Sequence, residues 1–375
     1  MERPKKIVFL TGTRADFGKL KPLMKKIERS KMRCFVFVTG MHTLSKYGST
    51  FHEVEKEKFK NIYVYMNQTE ETPMEIILAN TARGFSDYVK EIKPDMIVVH
   101  GDRVEALAGA IVGSFNNILT AHIEGGEISG TIDELIRHSI TKLSHIHFVS
   151  NTQAKKRLIQ MGEEEKTVFV IGSPDIDIMK GNDLPEIEET KKRFEFPFGE
   201  YAVFVFHPVT TELQNLKKDI KEIVSALKES GQDYLVIYPN NDPGSHFIMN
   251  EYKKLKKDKH FKIYPSIRFE YFLCFLKNSR FIIGNSSAGI REAEVFGVPA
   301  INIGARQAGR SKNKDILNVG SNKNEILRAI KKAEKMKIKP KQFFGDGKSA
   351  ERFYSIFSGG AIWKTKIQKQ FKDSL

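Results

Sequence analysis

The sequence predicts an α/β fold made of two Rossmann-like domains facing a cleft. Three observations carry this expectation. Short apolar runs alternate with helical patterns up to about residue 175, the same alternation restarts near residue 201, and polar clusters follow the apolar runs. Strand, loop, helix, strand is the signature of βαβ units on a parallel sheet. A chain of 375 residues also exceeds what one hydrophobic core ordinarily serves, so two domains are the default.

The first half supplies the first set of elements. Ile7–Leu10 is a short apolar run, followed by Thr11-Gly-Thr-Arg14 and a helical pattern from Phe17 to Ile27. Cys34–Thr39 reads as a second strand ending at Gly40, and Met96–His100 as a third between Pro94 and Gly101. A helix rich in Ala and Gly covers 103–115, Leu119–Ile123 is strand-like, and a helix runs from Asp133 to Leu143. His145–Ser150 and Val168–Ile171 complete the set, which makes 1–175 the N-terminal domain. A charged, Pro-punctuated stretch from about 174 to 200 follows. The second set comprises Tyr201–His207, Tyr234–Tyr238, Phe261–Tyr264, Arg280–Gly284 and Pro299–Ile303, within a C-terminal domain at 176–348. Residues 349–375 mix apolar and charged residues at helical spacing, as a C-terminal helix packing back on the N-terminal domain would, and end in a basic tail.

Composition removes several function classes. The apolar fraction of 40% suits a globular interior, and no apolar run approaches the ~20 residues that a spanning helix needs. No signal-peptide pattern follows the N-terminus, so the expectation is a cytoplasmic protein without membrane insertion. Cys34 and Cys274 sit in apolar runs as buried thiols, and no metal-type Cys/His spacing is present, so no metal site is expected. The formal charge of +15 raises nucleic-acid binding. Much of it lies on amphipathic patterns such as Lys253–Lys259, where a solvated helix face explains it, and no nucleic-acid motif accompanies it. A positive field also draws in a small phosphorylated substrate.

The chemistry concentrates between His100 and His138. His100-Gly-Asp-Arg103, His122-Ile-Glu-Gly-Gly-Glu127 and Ile132-Asp-Glu-Leu-Ile-Arg-His138 place Asp102, Glu124 and Asp133 at the mouths of neighbouring elements. Three acids so placed are the raw material for proton transfer. A helix cap is the plainer role for Asp133. Arg14 stands where a helix N-terminus offers amides and a positive dipole end, and its guanidinium suits phosphate, although Gly12 alone is no dinucleotide fingerprint. His207 ends a strand before Pro208 and so belongs at the carboxyl edge of its sheet. In Gly284-Asn-Ser-Ser-Ala-Gly-Ile-Arg-Glu292, Ser286 and Ser287 can donate to phosphate at a helix start, and Glu292 can accept from both hydroxyls of a ribose.

These residues, together with Gly12-Thr-Arg-Ala-Asp-Phe-Gly18, Thr39-Gly-Met-His42, Ile136–His145, Phe206-His-Pro-Val-Thr-Thr211 and Tyr238-Pro-Asn-Asn-Asp242, resemble the hydrolysing UDP-N-acetylglucosamine 2-epimerases. That family includes the bacterial enzymes of sialic acid synthesis and the epimerase half of the bifunctional animal enzyme. The resemblance runs in order and at matching spacing over about residues 5–325. It implies a glycosyltransferase-B-like fold that hydrolyses UDP-N-acetylglucosamine to N-acetylmannosamine and UDP. UDP is eliminated to leave a 2-acetamidoglucal, and water then adds with inversion at C2, with no cofactor.

Carried over by motif, Asp102, Glu124 and Asp133 are the catalytic acids, Asp102 in the elimination and the other two in the hydration. Arg14, Arg103, His207, Ser286 and Ser287 stabilise departing UDP. Asn240, Ile267, Glu292 and Arg306 match other nucleotide-contacting positions, and His42 and His145 lie on segments that approach the sugar. Asp133, where the non-hydrolysing relatives carry Glu, and the Gly-Gly-Glu after Glu124 go with the hydrolysing branch. The resemblance further implies a homodimer or homotetramer. Two rival activities remain at this level: the same chemistry on a UDP-2,4-diacetamido-2,4,6-trideoxyhexose in legionaminic acid synthesis, and sugar transfer to an acceptor.

Overall fold

The computed structural model describes residues 3–373 except 130, 131, 182, 183, 308 and 310–312. The chain divides into two compact units, one of residues 1–127, 133–181 and 343–375, the other of 128–132 and 182–342.

The first unit is a parallel sheet with helices on both faces. Its elements are β1 (Lys6–Thr11), α1 (Arg14–Glu28), β2 (Arg33–Val38), α2 (Phe51–Lys56), β3 (Ile62–Val64), α3 (Met74–Ile92), β4 (Met96–His100), α4 (Val104–Phe115), β5 (Leu119–Ile123), α5 (Ile132–Leu143), β6 (Ile146–Val149), α6 (Thr152–Gln160), β7 (Val168–Val170) and α7 (Pro174–Lys180). The strand order is β3-β2-β1-β4-β5-β6-β7, so the direction of winding reverses between β1 and β4. The runs Ile7–Leu10 and Met96–Val99 are buried on both sides, as near-continuous apolar sequence requires in a doubly covered sheet. Helix α1 starts where it does because Thr13 and Asp16 form a reciprocal capping box.

The second unit repeats the plan. It contains α8 (Ile187–Phe194), β8 (Ala202–Val205), α9 (Leu213–Glu229), β9 (Tyr234–Ile237), α10 (Ser245–Leu255), β10 (Phe261–Tyr264), α11 (Phe269–Lys277), β11 (Ile282–Gly284), α12 (Glu292–Phe296), β12 (Ala300–Ile303), β13 (Ile316–Val319) and α13 (Lys323–Ala333). Its parallel sheet runs β10-β9-β8-β11-β12-β13, with the reversal between β8 and β11. Helix α9 shows how sequence sets packing. Leu216, Ile220, Ile223, Val224 and Leu227 recur at three- and four-residue steps and are all buried. Each contributes ~1.5–3 kcal/mol over the exposed state, and Ile220→Asp would set a charge in the middle of that face.

The chain then returns to the first unit as α14 (Ser349–Ser358). Phe353 packs between Phe9 and Phe148, at ring-centroid distances of 6.4 and 4.8 Å. Asp177 of α7 accepts from the Ser349 and Ala350 amides at 2.8 and 2.7 Å and caps the returning helix from across the unit. These contacts explain why the units divide after residues 181 and 342 rather than at the 175 and 348 read from the sequence. Helix α7 is bound into the first unit by α1 and α14. Strands β3 and β13, unassigned in the sequence, are short edge strands with half-exposed patterns and carry little periodic signal.

Candidate active site

In the first unit, Glu124 directly follows β5 and takes a left-handed φ of +64°. That conformation costs a non-glycine residue about 1–3 kcal/mol and persists only where its surroundings hold it. Glu124 is 4% exposed. The Ser173 hydroxyl donates to Oε1, His100 Nε2 lies 3.1 Å from Oε2, and Lys19 Nζ lies 3.9 Å from Oε2. The two glycines that follow are sterically required. A Cβ on Gly125 would meet His122 Nδ1 at 2.9 Å, and one on Gly126 would meet the Ala154 carbonyl oxygen at 2.5 Å.

Asp102 lies just beyond β4 and is paired with Arg137, which is 1% exposed and also donates to the Glu127 carbonyl at 3.1 Å. Asp133 sits one turn ahead of Arg137 in the first turn of α5. His122 fixes the turn that carries Asp102. Its Nε2 lies 2.8 Å from the Gly101 carbonyl oxygen, and its Nδ1 lies 3.1 Å from the Thr141 hydroxyl. Burial pushes the His122 pKa down to about 3, so the ring is neutral and donates from Nε2. The three acids thus occupy different surroundings: a buried cluster of donors, an arginine pair and a half-exposed helix start. Such contrast allows neighbouring carboxyls to hold different protonation states.

Arg14 and Arg103 occupy the same edge of this sheet. Arg14 Nη2 donates to Glu53 at 2.5 Å, and Arg103 Nε stands 3.6 Å from the fully buried Glu105.

In the second unit, His207 follows β8 and Asn285 follows β11, on either side of the reversal in strand order. The Asn285 side chain binds the His207 main chain at both its N–H and its carbonyl. The Asn240 amide donates to His207 Nδ1 at 3.1 Å, which places the proton of the neutral ring on Nε2. Gly284 has φ +134°, and a Cβ there would lie 2.0 Å from the Val205 carbonyl oxygen. Arg306 Nη1 and Gln307 Nε2 both donate to the Asn285 carbonyl, at 3.3 and 3.0 Å. Ser286 caps the short turn Ser287–Gly289, accepting from the Ala288 amide at 3.3 Å. Glu292 opens α12 and is 3% exposed, and Ile267 is buried in the loop before α11. These residues gather at the carboxyl ends of β8 to β12, the edge at which open α/β sheets bind ligands.

The sequence matches the UDP-N-acetylglucosamine 2-epimerase family profile over residues 25–358. The chain belongs to this family. A UDP-N-acetylglucosamine 2-epimerase of Neisseria meningitidis serogroup B is 46% identical over 98% of this chain and 99% of the relative. A hydrolysing UDP-N,N'-diacetylbacillosamine 2-epimerase of Legionella pneumophila is 33% identical over 94% and 95% of the two chains. The crystal structure of the Methanocaldococcus jannaschii UDP-GlcNAc 2-epimerase with UDP-GlcNAc and UDP superposes with a TM-score of 0.80 at 25% identity, covering 95% of this chain and 100% of that one. The fold is the α/β, glycosyltransferase-B-like one of these epimerases.

Two residues expected near the sugar have partners within the first unit. His42 is 0% exposed, with Nε2 3.1 Å from Thr11 Oγ1 and Nδ1 2.7 Å from Thr50 Oγ1, so both ring nitrogens are engaged inside the first unit. Burial pushes its pKa down to about 4. His145 precedes β6 and therefore stands at the amino edge of the sheet, opposite the acids. Its Nδ1 accepts from the Thr120 amide, and its Nε2 lies 2.9 Å from the Ile367 carbonyl oxygen in the C-terminal segment.

Sequence reasoning also missed Lys19, His100, Arg137, Ser173 and Asp175, all of which reach the acids or one another. Arg137 had a signal, lying four residues after Asp133 and hence on the same helix face. The others come together through tertiary packing alone. Among the described residues no group of three or more His, Cys, Asp or Glu is placed to hold a metal ion, and no helix is long and apolar enough to cross a membrane.

Proposed function

We propose that this epimerase is of the hydrolysing type, converting UDP-N-acetylglucosamine and water into N-acetylmannosamine and UDP. The observation that carries this reading is the set of three differently solvated carboxylates, Asp102, Glu124 and Asp133, at one sheet edge. In the first step the C1–O bond breaks with its electron pair leaving on UDP. The C2 proton passes to a carboxylate, and a C1–C2 double bond forms. Asp102 takes this proton, because the Arg137 guanidinium favours its ionised form. In the second step water adds its hydroxyl to C1, and a proton is delivered to C2 on the face that gives the manno configuration. Glu124 and Asp133 share that work. We assign stabilisation of the departing diphosphate to the donors His207 Nε2, Ser286, Ser287, Arg306, Arg14 and Arg103. Asn240 and Ile267 flank the nucleotide, and Glu292 accepts from its ribose.

Support for hydrolysis comes from Asp133 and from the Glu124-Gly-Gly-Glu127 run. It also comes from the hydrolysing name of the Legionella relative. The product would enter sialic acid synthesis. That same relative favours a second reading, identical chemistry on a UDP-diacetamido-trideoxyhexose.

The test is incubation with UDP-N-acetylglucosamine alone in deuterated water, followed by NMR. Free N-acetylmannosamine carrying deuterium at C2, plus UDP, is the expected outcome. Return of an epimerised UDP-sugar, or turnover of the diacetamido sugar only, overturns the reading. A requirement for an acceptor sugar would make the chain a transferase.

A further inference from the structure

A second buried acid lies behind Glu124 and takes no part in the reaction scheme above. Asp175, in the first turn of α7, is 0% exposed, and its Oδ2 stands 3.3 Å from Lys19 Nζ. The same ammonium stands 3.9 Å from Glu124 Oε2, and Lys19 is itself only 7% exposed. Two residues before Asp175 along the chain, Ser173 donates its hydroxyl to the other oxygen of Glu124. One three-residue segment therefore holds both the Glu124 carboxylate and the cation beside it. In a site of low dielectric, two carboxylates beside one ammonium do not titrate independently, and the charge of one sets the proton affinity of the other.

We infer that Asp175 is a positioning residue that sets the charge state of Glu124: it draws the Lys19 ammonium towards itself and so raises the proton affinity of Glu124. This rests on the proposed role of Glu124 in delivering a proton to C2. The other titratable or charged groups on the surrounding elements have their own bonds. His100, at the end of β4, faces Glu124. Asp16 of α1 accepts from the Gly12 and Thr13 amides, and Asp177 of α7 accepts from the start of α14. Arg352 of α14 pairs with Asp346, and Asp102 pairs with Arg137. Both buried acids contact Lys19.

The experiment is the pH profile of kcat/KM for free-sugar release in two variants. Asp175→Asn removes one of the two acids that share the ammonium, and one limb of the profile moves to lower pH by about one unit. Lys19→Gln removes the cation, and the same limb moves to higher pH. Opposite displacement of one limb is the expected result. Lower rates with unmoved limbs, or displacement in the same direction, overturn the assignment and leave Asp175 a structural residue. If Asp175→Asn fails to fold, Asp175→Ser is read for the same displacement. Should the wild-type chain release a different product from its UDP-sugar, the hydrolytic reading falls while the displacements are still read on that product. Unmoved limbs with continued release of N-acetylmannosamine overturn the Asp175 assignment alone.

Discussion

The Asn285 carboxamide grips the His207 main chain at both ends: its Oδ1 accepts from the His207 amide at 2.7 Å, and its Nδ2 donates to the His207 carbonyl at 2.8 Å. Asn285 is 0% exposed, so both main-chain groups are satisfied by a side chain and not by water. Asn285→Ala leaves two polar groups unpaired, at about 1–3 kcal/mol each. The expected outcome is a lower denaturation midpoint together with UDP affinity weakened on the order of tenfold, about 1.4 kcal/mol. Asn285→Asp keeps the acceptor, loses the donor and should fall between. Calorimetry and chemical denaturation read both effects. Unchanged UDP affinity in Asn285→Ala would separate this clamp from nucleotide binding.

Amide replacement of the hydration acids should split the reaction. Glu124→Gln and Asp133→Asn are expected to accumulate 2-acetamidoglucal with UDP, free-sugar release falling by about 10²–10⁴-fold. NMR of the reaction mixture distinguishes the glycal from N-acetylmannosamine. Wild-type turnover in either variant would remove that residue from the mechanism.

Glu292→Gln tests ribose recognition. Glu292 is buried at the start of α12, and a carboxylate that accepts from two hydroxyls loses part of that capacity as an amide. UDP should bind about tenfold more weakly, with UMP affected to the same extent, because both carry the ribose. Isothermal titration with the two nucleotides gives the comparison.

Acid should destabilise the first unit through its buried imidazoles. Burial lowers His42 from 6.5 to about 4 and His122 from 6.5 to about 3. Below pH 6.5 the unfolded chain takes up protons that the folded chain refuses, so stability falls with falling pH. The loss continues until about pH 4 for His42 and about pH 3 for His122. Each fully buried ring contributes a slope of up to about 1.4 kcal/mol per pH unit within its window. Urea unfolding between pH 7 and 4 should show the decline, and a folded His42→Gln variant should show a shallower one.

Asp177 should control the seating of the C-terminal helix. Asp177→Ala removes the cap on the Ser349 and Ala350 amides, at about 0.5–2 kcal/mol. Limited proteolysis should then cut near residues 343–349 faster than in the wild type, with the rest of the chain still resistant. Equal cleavage rates would show that the Phe353 packing suffices to hold α14.

Much was legible in the sequence because it is encoded locally. Continuous apolar runs marked the central strands, and helical patterns marked α1, α4 and α5. The polar clusters after β4, β5, β8 and β11 had to lie at carboxyl edges once those runs were strands. Asp102, Glu124, His207 and Ser286 were placed at those edges in this way. Other features depend on which elements become neighbours, and no local pattern reports that. His42 and His145 illustrate this, since motif position does not report that one ring is bonded between two threonines and the other stands at the amino edge.

The sequence by itself determined the α/β plan, the repeated architecture and the positions of the acids along the chain, because strand periodicity and turn chemistry are properties of a few consecutive residues. Only the tertiary structure decided that Lys19 and Ser173 reach Glu124, that Asp175 reaches Lys19, that Arg137 pairs with Asp102, and that α14 returns to the first unit. Those pairings join residues far apart in the chain, and buried charge exists there only because the packed elements bring each group its partner.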